Sequence, residues 1–127
     1  MQHQEEALKR AISGTGTMVD FSGEWKNDLG STMRLTQMGD VLDGDYKSAV
    51  SSDGRQATGP LKGYVDGDLI AIIVHWNEFQ SITSWVGQCE PNTSNKVIKT
   101  LWQMTKQVSA GGEWGSINAG SDTFTRV

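Results

Sequence analysis

Residues 69–88, LIAIIVHWNEFQSITSWVGQ, contain two strand-like segments separated by a short polar turn. Segment 69–76 is a nearly continuous apolar run rich in Ile and Val, which predicts a buried strand. In segment 81–88, Ser81, Thr83 and Trp85 share one parity and therefore lie on one face of a strand. A face that mixes indole with hydroxyl groups is typical of a pocket wall for a small ligand that is partly apolar and partly hydrogen-bonding.

The rest of the chain after residue 18 is divided into similar segments by turn signals such as Gly39-Asp40. Further strands are predicted at 21–26, 31–37, 41–50, 58–65, 96–106 and 117–126. Eight strands with close, regular turns and no helix in the core predict an all-β fold, either a sandwich or an up-and-down barrel. Eight strands that close on themselves leave room for about one small ligand.

Length and charge limit the kinds of protein this chain can be. Its 127 residues suffice for one domain with one core. A formal net charge of −4 predicts neither a nucleic-acid partner nor an anionic membrane surface, and no apolar run reaches the roughly 18 residues of a transmembrane helix. Residues 1–18 lack the apolar region of an intact signal peptide, so we expect a flexible tail at 1–18 and one domain at 19–127.

Residues that could carry catalysis or bind a metal are sparse. The only cysteine, Cys89, has no Cys or His companion at metal-binding spacing, and a free thiol is favoured over an intermolecular disulfide. His75 lies on the parity opposite the neighbouring Trp76, which favours a solvent-facing side chain. The carboxylates around residues 40–45 crowd a turn, where solvation explains them better than a calcium site. The sequence therefore predicts no enzyme, no cofactor and no metal.

Polar residues on the inward parities are the stronger signal. Taken singly, Ser31, Ser48 and Thr83 could satisfy backbone groups and Asn27 could cap a turn, while Trp25 is best explained by core packing. Taken together, these residues indicate a pocket with several fixed donors and acceptors around tryptophan rings.

Several motifs in order resemble the avidin and streptavidin family. They are FSGEW at 21–25, NDLGST at 27–32, YKSAV at 46–50, TSWVGQ at 83–88 and DTFT at 122–125. The resemblance covers about residues 20–127. It implies an eight-stranded antiparallel up-and-down β-barrel that binds biotin non-covalently and with high affinity, is not an enzyme, and is secreted to an extracellular or periplasmic location.

The resemblance also implies roles for individual residues. Asn27, Ser31 and Tyr46 resemble the three donors to the ureido oxygen of biotin, and Ser48 and Asp122 resemble the acceptors for its two ureido N–H groups. Three ordered hydrogen bonds on one oxygen favour its partial oxyanion character.

The remaining roles concern the thioether, the carboxylate and the pocket walls. By resemblance, Thr83 faces the thioether sulfur and Ser81 binds the valeryl carboxylate, assisted by backbone N–H groups of Ser51 or Ser52. The walls implied by the resemblance are Trp76, Trp85, Trp102, Val50 and Met104. In the tetrameric members, a tryptophan that matches Trp114 reaches into a neighbouring subunit's pocket, which implies a homotetramer. The alternative is that Trp114 packs on its own barrel.

Two other functions remain open at this stage. A lipocalin-like carrier of a small hydrophobic ligand fits Gly23-x-Trp25, although such a pocket would be more apolar and lipocalins add a C-terminal helix after the last strand. A hydrolase using carboxylates in the barrel is disfavoured because Asp122 has no second acid nearby in the sequence.

Overall fold

Eight antiparallel strands close into a barrel in the computed structural model of the protein, which describes residues 4–11, 17–50 and 52–127. The strands are β1 (Gly23–Asn27), β2 (Thr32–Met38), β3 (Val41–Lys47), β4 (Thr58–Asp66), β5 (Leu69–His75), β6 (Ser81–Cys89), β7 (Val97–Lys106) and β8 (Ile117–Arg126). Each strand pairs with the next, and β8 pairs with β1. The predicted up-and-down barrel is confirmed, and the sandwich alternative is excluded.

In the part of the chain that the structure describes, helical structure is confined to short segments outside the barrel wall. An exposed helix, α1, spans Gln4–Lys9, and two 3₁₀ helices span Pro91–Thr93 and Glu113–Ser116. Within the described ranges, no helix is long and apolar enough to cross a membrane. The predicted tail at 1–18 includes residues outside the described ranges, so its flexibility stays a prediction.

The core is formed by the inward parity of the strands. Along β5, burial alternates strictly, with Ile70, Ile72 and Val74 inside the barrel and Leu69 and Ile73 outside. The prediction of a buried strand at 69–76 is therefore right for one face only. The outer face is exposed because no second layer of described residues covers this part of the barrel wall.

Strand β3 is shorter than predicted. It ends at Lys47 instead of continuing to residue 50. The backbone N–H of Ser48 donates to the carbonyl oxygen of Ala57 at 2.8 Å, and the N–H of Ala57 donates to Ser48 Oγ at 2.8 Å. This reciprocal pair closes the loop between β3 and β4, so the strand alternation does not extend past Ser48.

Arg126 connects three segments of the chain at the end of the barrel opposite the loop between β3 and β4. The Arg126 guanidinium lies 4.2 Å above the ring of Trp25, which is fully buried as predicted for a core residue. Arg126 also donates hydrogen bonds to the carbonyl oxygens of Asp20, Ser22 and Asn95. The last strand, the segment entering β1 and the loop between β6 and β7 are thereby joined by one side chain.

We expect Arg126→Met to lower the free energy of unfolding by about 2–3 kcal/mol, because it removes a cation–π contact and several hydrogen bonds to carbonyl groups, most of them partly buried. Urea unfolding without ligand measures the change. The control is Arg34→Met, since Arg34 makes only an exposed ion pair with Glu24 at 3.7 Å. Equal destabilisation by the two substitutions would contradict this role for Arg126.

Candidate functional site

A pocket opens at one end of the barrel. Every second loop of an up-and-down barrel lies at the same end, so the loops after β1, β3, β5 and β7 meet there. The pocket has a volume of about 700 Å³. Its lining residues are Ser48, Ala57, Trp76, Glu78, Phe79, Gln80, Ser81, Met104, Lys106 and Gln107. It therefore includes four of the residues predicted for the site, and the other described ones lie deeper in the barrel or on the loops.

A half-buried carboxylate joins three strands inside the barrel. Asp122 Oδ2 accepts hydrogen bonds from Asn27 Nδ2 at 3.1 Å and from Trp85 Nε1 at 3.2 Å. Asn27 Oδ1 in turn accepts from the backbone N–H groups of Leu29 and Ser31 at 3.1 and 2.8 Å. These bonds fix the orientation of both polar groups. One N–H of the Asn27 amide and Asp122 Oδ1 make no hydrogen bond to the described residues, so both can bind a ligand.

Tyr46 lies at the centre of an aromatic cluster. Its ring stacks on Trp85 with centroids 4.7 Å apart and an interplanar angle of 21°. Its edge contacts are with Trp76 at 5.5 Å and Phe124 at 6.3 Å. The cluster holds the Tyr46 hydroxyl in one position and supplies the flat apolar surfaces that a small ring requires.

The environment of Tyr46 favours its neutral form. Burial raises the pKa of Tyr46 well above its ordinary value of 10.0, a hydrogen bond from Ser31 acts in the opposite direction, and the charge of Asp122 raises it further. The hydroxyl therefore remains a hydrogen-bond donor far into the alkaline range.

This raised pKa predicts a loss of stability at high pH. Above pH 10 the unfolded state releases the Tyr46 proton while the folded state keeps it, so the free energy of unfolding falls by up to about 1.4 kcal/mol per pH unit until the folded pKa is reached. Below pH 10 the contribution is fully present. Denaturant unfolding at pH 8, 10 and 11 should show a steeper loss for wild type than for Tyr46→Phe. The variant Tyr64→Phe, which removes an exposed hydroxyl, should keep the wild-type dependence, and an unchanged slope in Tyr46→Phe would contradict the prediction.

Backbone donors orient the two serines near this cluster. Ser31 Oγ accepts from the N–H of Ala49 at 3.0 Å, and Ser48 Oγ accepts from the N–H of Ala57 at 2.8 Å. Ser48 Oγ also donates to the carbonyl oxygen of Ala49 at 3.3 Å. Each hydroxyl oxygen still has a free lone pair, so Ser48 can accept a further hydrogen bond. Ser31 lies close enough to Tyr46 to act on its pKa.

The mouth of the pocket is formed by β5, β6 and β7. Trp76 is half-buried, and its Nε1 donates to the buried Thr83 Oγ1 at 2.9 Å. Ser81 Oγ donates its proton to the carbonyl oxygen of Thr105 at 3.0 Å. Ser81 therefore faces the pocket with its hydroxyl proton already engaged.

A glycine that the sequence reading missed shapes the wall beside Trp102. The half-buried Trp102 lies opposite Trp85 on β6 and opposite Gly120 on β8. A Cβ atom at Gly120 would lie 2.7 Å from the Trp102 ring, so only glycine leaves room for the indole in this position. The sequence signal that could have identified Gly120 is its position two residues before Asp122, which places both residues on the same inward parity of β8.

Some predicted site residues are not brought to the pocket. Val50 is 63% exposed, because β3 has already ended, and is therefore not a pocket wall in this structure. Ser52 is exposed in the same loop, and Ser51 lies outside the described residues. Trp114 is 90% exposed, so the alternative that it packs on its own barrel is wrong.

His75 and Cys89 are the two remaining candidates for catalysis or metal binding, and they are separate from the polar groups of the pocket. His75 is exposed, as predicted, and burial raises the pKa of the free thiol of Cys89. In the described ranges, no three His, Cys, Asp or Glu side chains are grouped so that they could hold a metal ion.

Known proteins resemble this chain in both sequence and fold. The model of the family described as Avidin family matches residues 15–127. Avidin-related protein 2 from Gallus gallus is 35% identical over 125 residues, which cover 91% of this chain and 83% of that protein. Afifavidin from Afifella pfennigii is 38% identical over 112 residues, covering 84% of this chain and 69% of that protein. A solved structure of a biotin-binding protein from chicken has a TM-score of 0.72 and 29% identity, and the match covers 85% of this chain and 96% of that one.

Proposed function

The chain belongs to the avidin family, and we propose that it binds biotin non-covalently in the pocket at the open end of its barrel. One observation carries the proposal. The Asp122 carboxylate is held inside the barrel by Asn27 and Trp85, with one oxygen left for a ligand N–H. A carboxylate beside a cyclic urea forms a strong charge-assisted hydrogen bond to the urea N–H. A biotin-binding protein from chicken shares the fold.

The polar groups around Asp122 match the two sides of a urea ring. We assign Asn27, Ser31 and Tyr46 as donors to the ureido oxygen, and Ser48 and Asp122 as acceptors for the ureido N–H groups. The assignment is supported by the unused hydrogen-bonding capacity of Asn27, Ser48 and Asp122 and by the backbone bonds that orient Asn27, Ser31 and Ser48 before a ligand arrives. Groups ordered in advance lose little entropy on binding, which favours high affinity.

The apolar part of biotin would lie among the aromatic rings. Trp76, Trp85 and Trp102 would contact the bicyclic ring and the chain, with Met104 as a smaller wall. Thr83 would donate to the thioether sulfur, since its oxygen already accepts from Trp76 Nε1. The valeryl carboxylate would lie at the mouth beside Ser81, with backbone N–H groups of Ser51 or Ser52 as further donors.

Thermal unfolding with and without added biotin tests this function. A ligand that binds only the folded state raises the unfolding midpoint as its concentration increases. We expect such a rise with biotin and none with retinol or a fatty acid, the ligands of a lipocalin-like carrier. The biotin should be recovered unchanged, because binding without catalysis is proposed. A midpoint that responds to fatty acid and not to biotin would favour the carrier.

We also propose that the protein is a homotetramer. An uncharged row of outward-facing residues crosses four neighbouring strands, and its members are Tyr64, Ala71, Val86 and Leu101. A contiguous exposed apolar surface favours association, and a row without charges can pack against its own copy about a two-fold axis. Trp114 provides a second exposed apolar site at a different place. Two separate surfaces support a tetramer over a dimer, and light scattering measures the mass.

If Trp114 covers a neighbouring subunit's pocket, Trp114→Ala should increase the rate of biotin dissociation by about tenfold or more, as expected for a buried interface tryptophan. Competition with labelled biotin measures the rate. Met38→Ala is the control, because Met38 is an exposed apolar residue at the opposite end of the barrel. An unchanged dissociation rate in a tetrameric Trp114→Ala variant would contradict the proposed lid.

Export to an extracellular or periplasmic location is part of the same proposal. It is supported by family membership. Fractionation of the source cells, with detection of the native protein by antibody, tests it.

A further inference from the structure

Lys106 is an exposed residue on the inward parity of β7, and the sequence alone predicted no role for it. It is the last residue of β7 and continues the parity of Trp102 and Met104, which face the barrel interior. In the ladder between β6 and β7 it lies directly opposite Ser81. Lys106, Ser81 and Met104 line the same pocket, so the Lys106 side chain borders the pocket mouth.

A ligand carboxylate at the pocket mouth requires hydrogen-bond donors, and the Ser81 hydroxyl is not available as one in this structure. The Ser81 hydroxyl proton is bonded to the carbonyl oxygen of Thr105 at 3.0 Å, and the Ser48 hydroxyl proton is bonded to that of Ala49 at 3.3 Å. An ammonium group carries three donors. Among the described residues, Lys106 makes no ion pair, because the four salt bridges found there use Arg34, Arg55, Lys62 and Lys99.

The charges of the lining make the mouth sensitive to the charge of a ligand's tail. Among the described residues that line the pocket, Lys106 is the one cation and Glu78 the one anion. A carboxylate tail would be attracted by Lys106 and repelled by Glu78, whereas a neutral amide tail would respond weakly to both. The protein as a whole carries a net charge of −4, so its overall field does not attract an anionic ligand.

We propose that Lys106 is a specificity-determining residue that binds the terminal carboxylate of free biotin and thereby favours it over biotin whose carboxyl group is blocked as an amide. This inference rests on the proposed function. The resemblance by itself implies that Ser81 and backbone N–H groups bind this carboxylate. The inference adds an ionic contact from Lys106.

The test compares biotin with biotinamide on wild type and variants, using dissociation rates and competition for affinity. Lys106→Gln should weaken biotin about three- to tenfold and leave biotinamide unchanged, with the difference shrinking in 0.5 M salt. Lys106→Arg should keep the preference, and Glu78→Gln should strengthen biotin without affecting biotinamide. The control Lys99→Gln makes the same charge change on the outward parity of β7 and should alter neither ligand.

The outcomes separate the two proposals. If wild type binds both ligands and Lys106→Gln changes them equally or changes neither, the role of Lys106 is overturned while biotin binding stands. If wild type binds neither ligand, the proposed function is overturned and the inference with it. An unchanged thermal midpoint in ligand-free Lys106→Gln verifies that the exposed substitution has not disturbed the fold.

Discussion

Asp122→Ala is expected to weaken biotin binding by about a hundredfold or more, equivalent to about 3 kcal/mol. The substitution leaves a ureido N–H buried without its charged acceptor. It also removes the acceptor, Asp122 Oδ2, to which Asn27 Nδ2 and Trp85 Nε1 both donate. A donor to the ureido oxygen and an aromatic wall of the pocket are then no longer held by this side chain. Competition against labelled biotin measures the loss.

A second variant separates the charge of Asp122 from its shape. Asp122→Asn keeps the size of the side chain but offers one acceptor oxygen and an NH₂ group that cannot accept. We expect an affinity between those of wild type and Asp122→Ala. Wild-type affinity in both variants would remove Asp122 from the binding site.

Trp85→Ala is expected to have the largest effect on stability, with a decrease of about 3–5 kcal/mol in the free energy of unfolding. Trp85 is 5% exposed, stacks on Tyr46 and meets Phe124 edge-on at 6.3 Å. Its removal leaves a cavity in the middle of the aromatic cluster. Urea unfolding of the ligand-free protein measures this decrease, and the variant should also bind biotin far more weakly because the wall and the Nε1 bond are both lost.

The matched control is Trp85→Phe. It keeps an aromatic ring beside Tyr46 but removes the Nε1–H bond to Asp122. We expect it to recover most of the stability and only part of the affinity. If Trp85→Phe were as unstable as Trp85→Ala, the stabilising role assigned to ring stacking would be wrong.

Much of the barrel could be predicted from local patterns. Turn signals together with period-two alternation, or with a continuous apolar run in the case of β5, located all eight strands. The exception along β5 is informative. Leu69 and Ile73 are apolar and yet exposed. A continuous apolar run therefore indicates that both faces of a strand are apolar, but it does not indicate that both faces are buried. The early end of β3 depends on the bonds between Ser48 and Ala57, which join residues nine positions apart.

The sequence predicted which residues belong to the site better than it predicted the hydrogen bonds between them. Parity and family resemblance identified Asn27, Tyr46 and Asp122 as inward polar or aromatic residues. The bond between Asn27 and Asp122 connects residues 95 positions apart, and it exists because β8 closes the barrel onto β1. The Ser81 bond to Thr105 and the position of Lys106 likewise follow from the register between β6 and β7. No local pattern encodes such a register.

Calorimetric titration of the purified protein with biotin tests most directly whether the barrel interior is arranged in advance for a cyclic urea. We expect saturation at one biotin per chain in wild type, with a much weaker or absent heat signal in Asp122→Ala at the same concentrations. Absence of binding by a correctly folded wild type, or equal binding by both proteins, would contradict it.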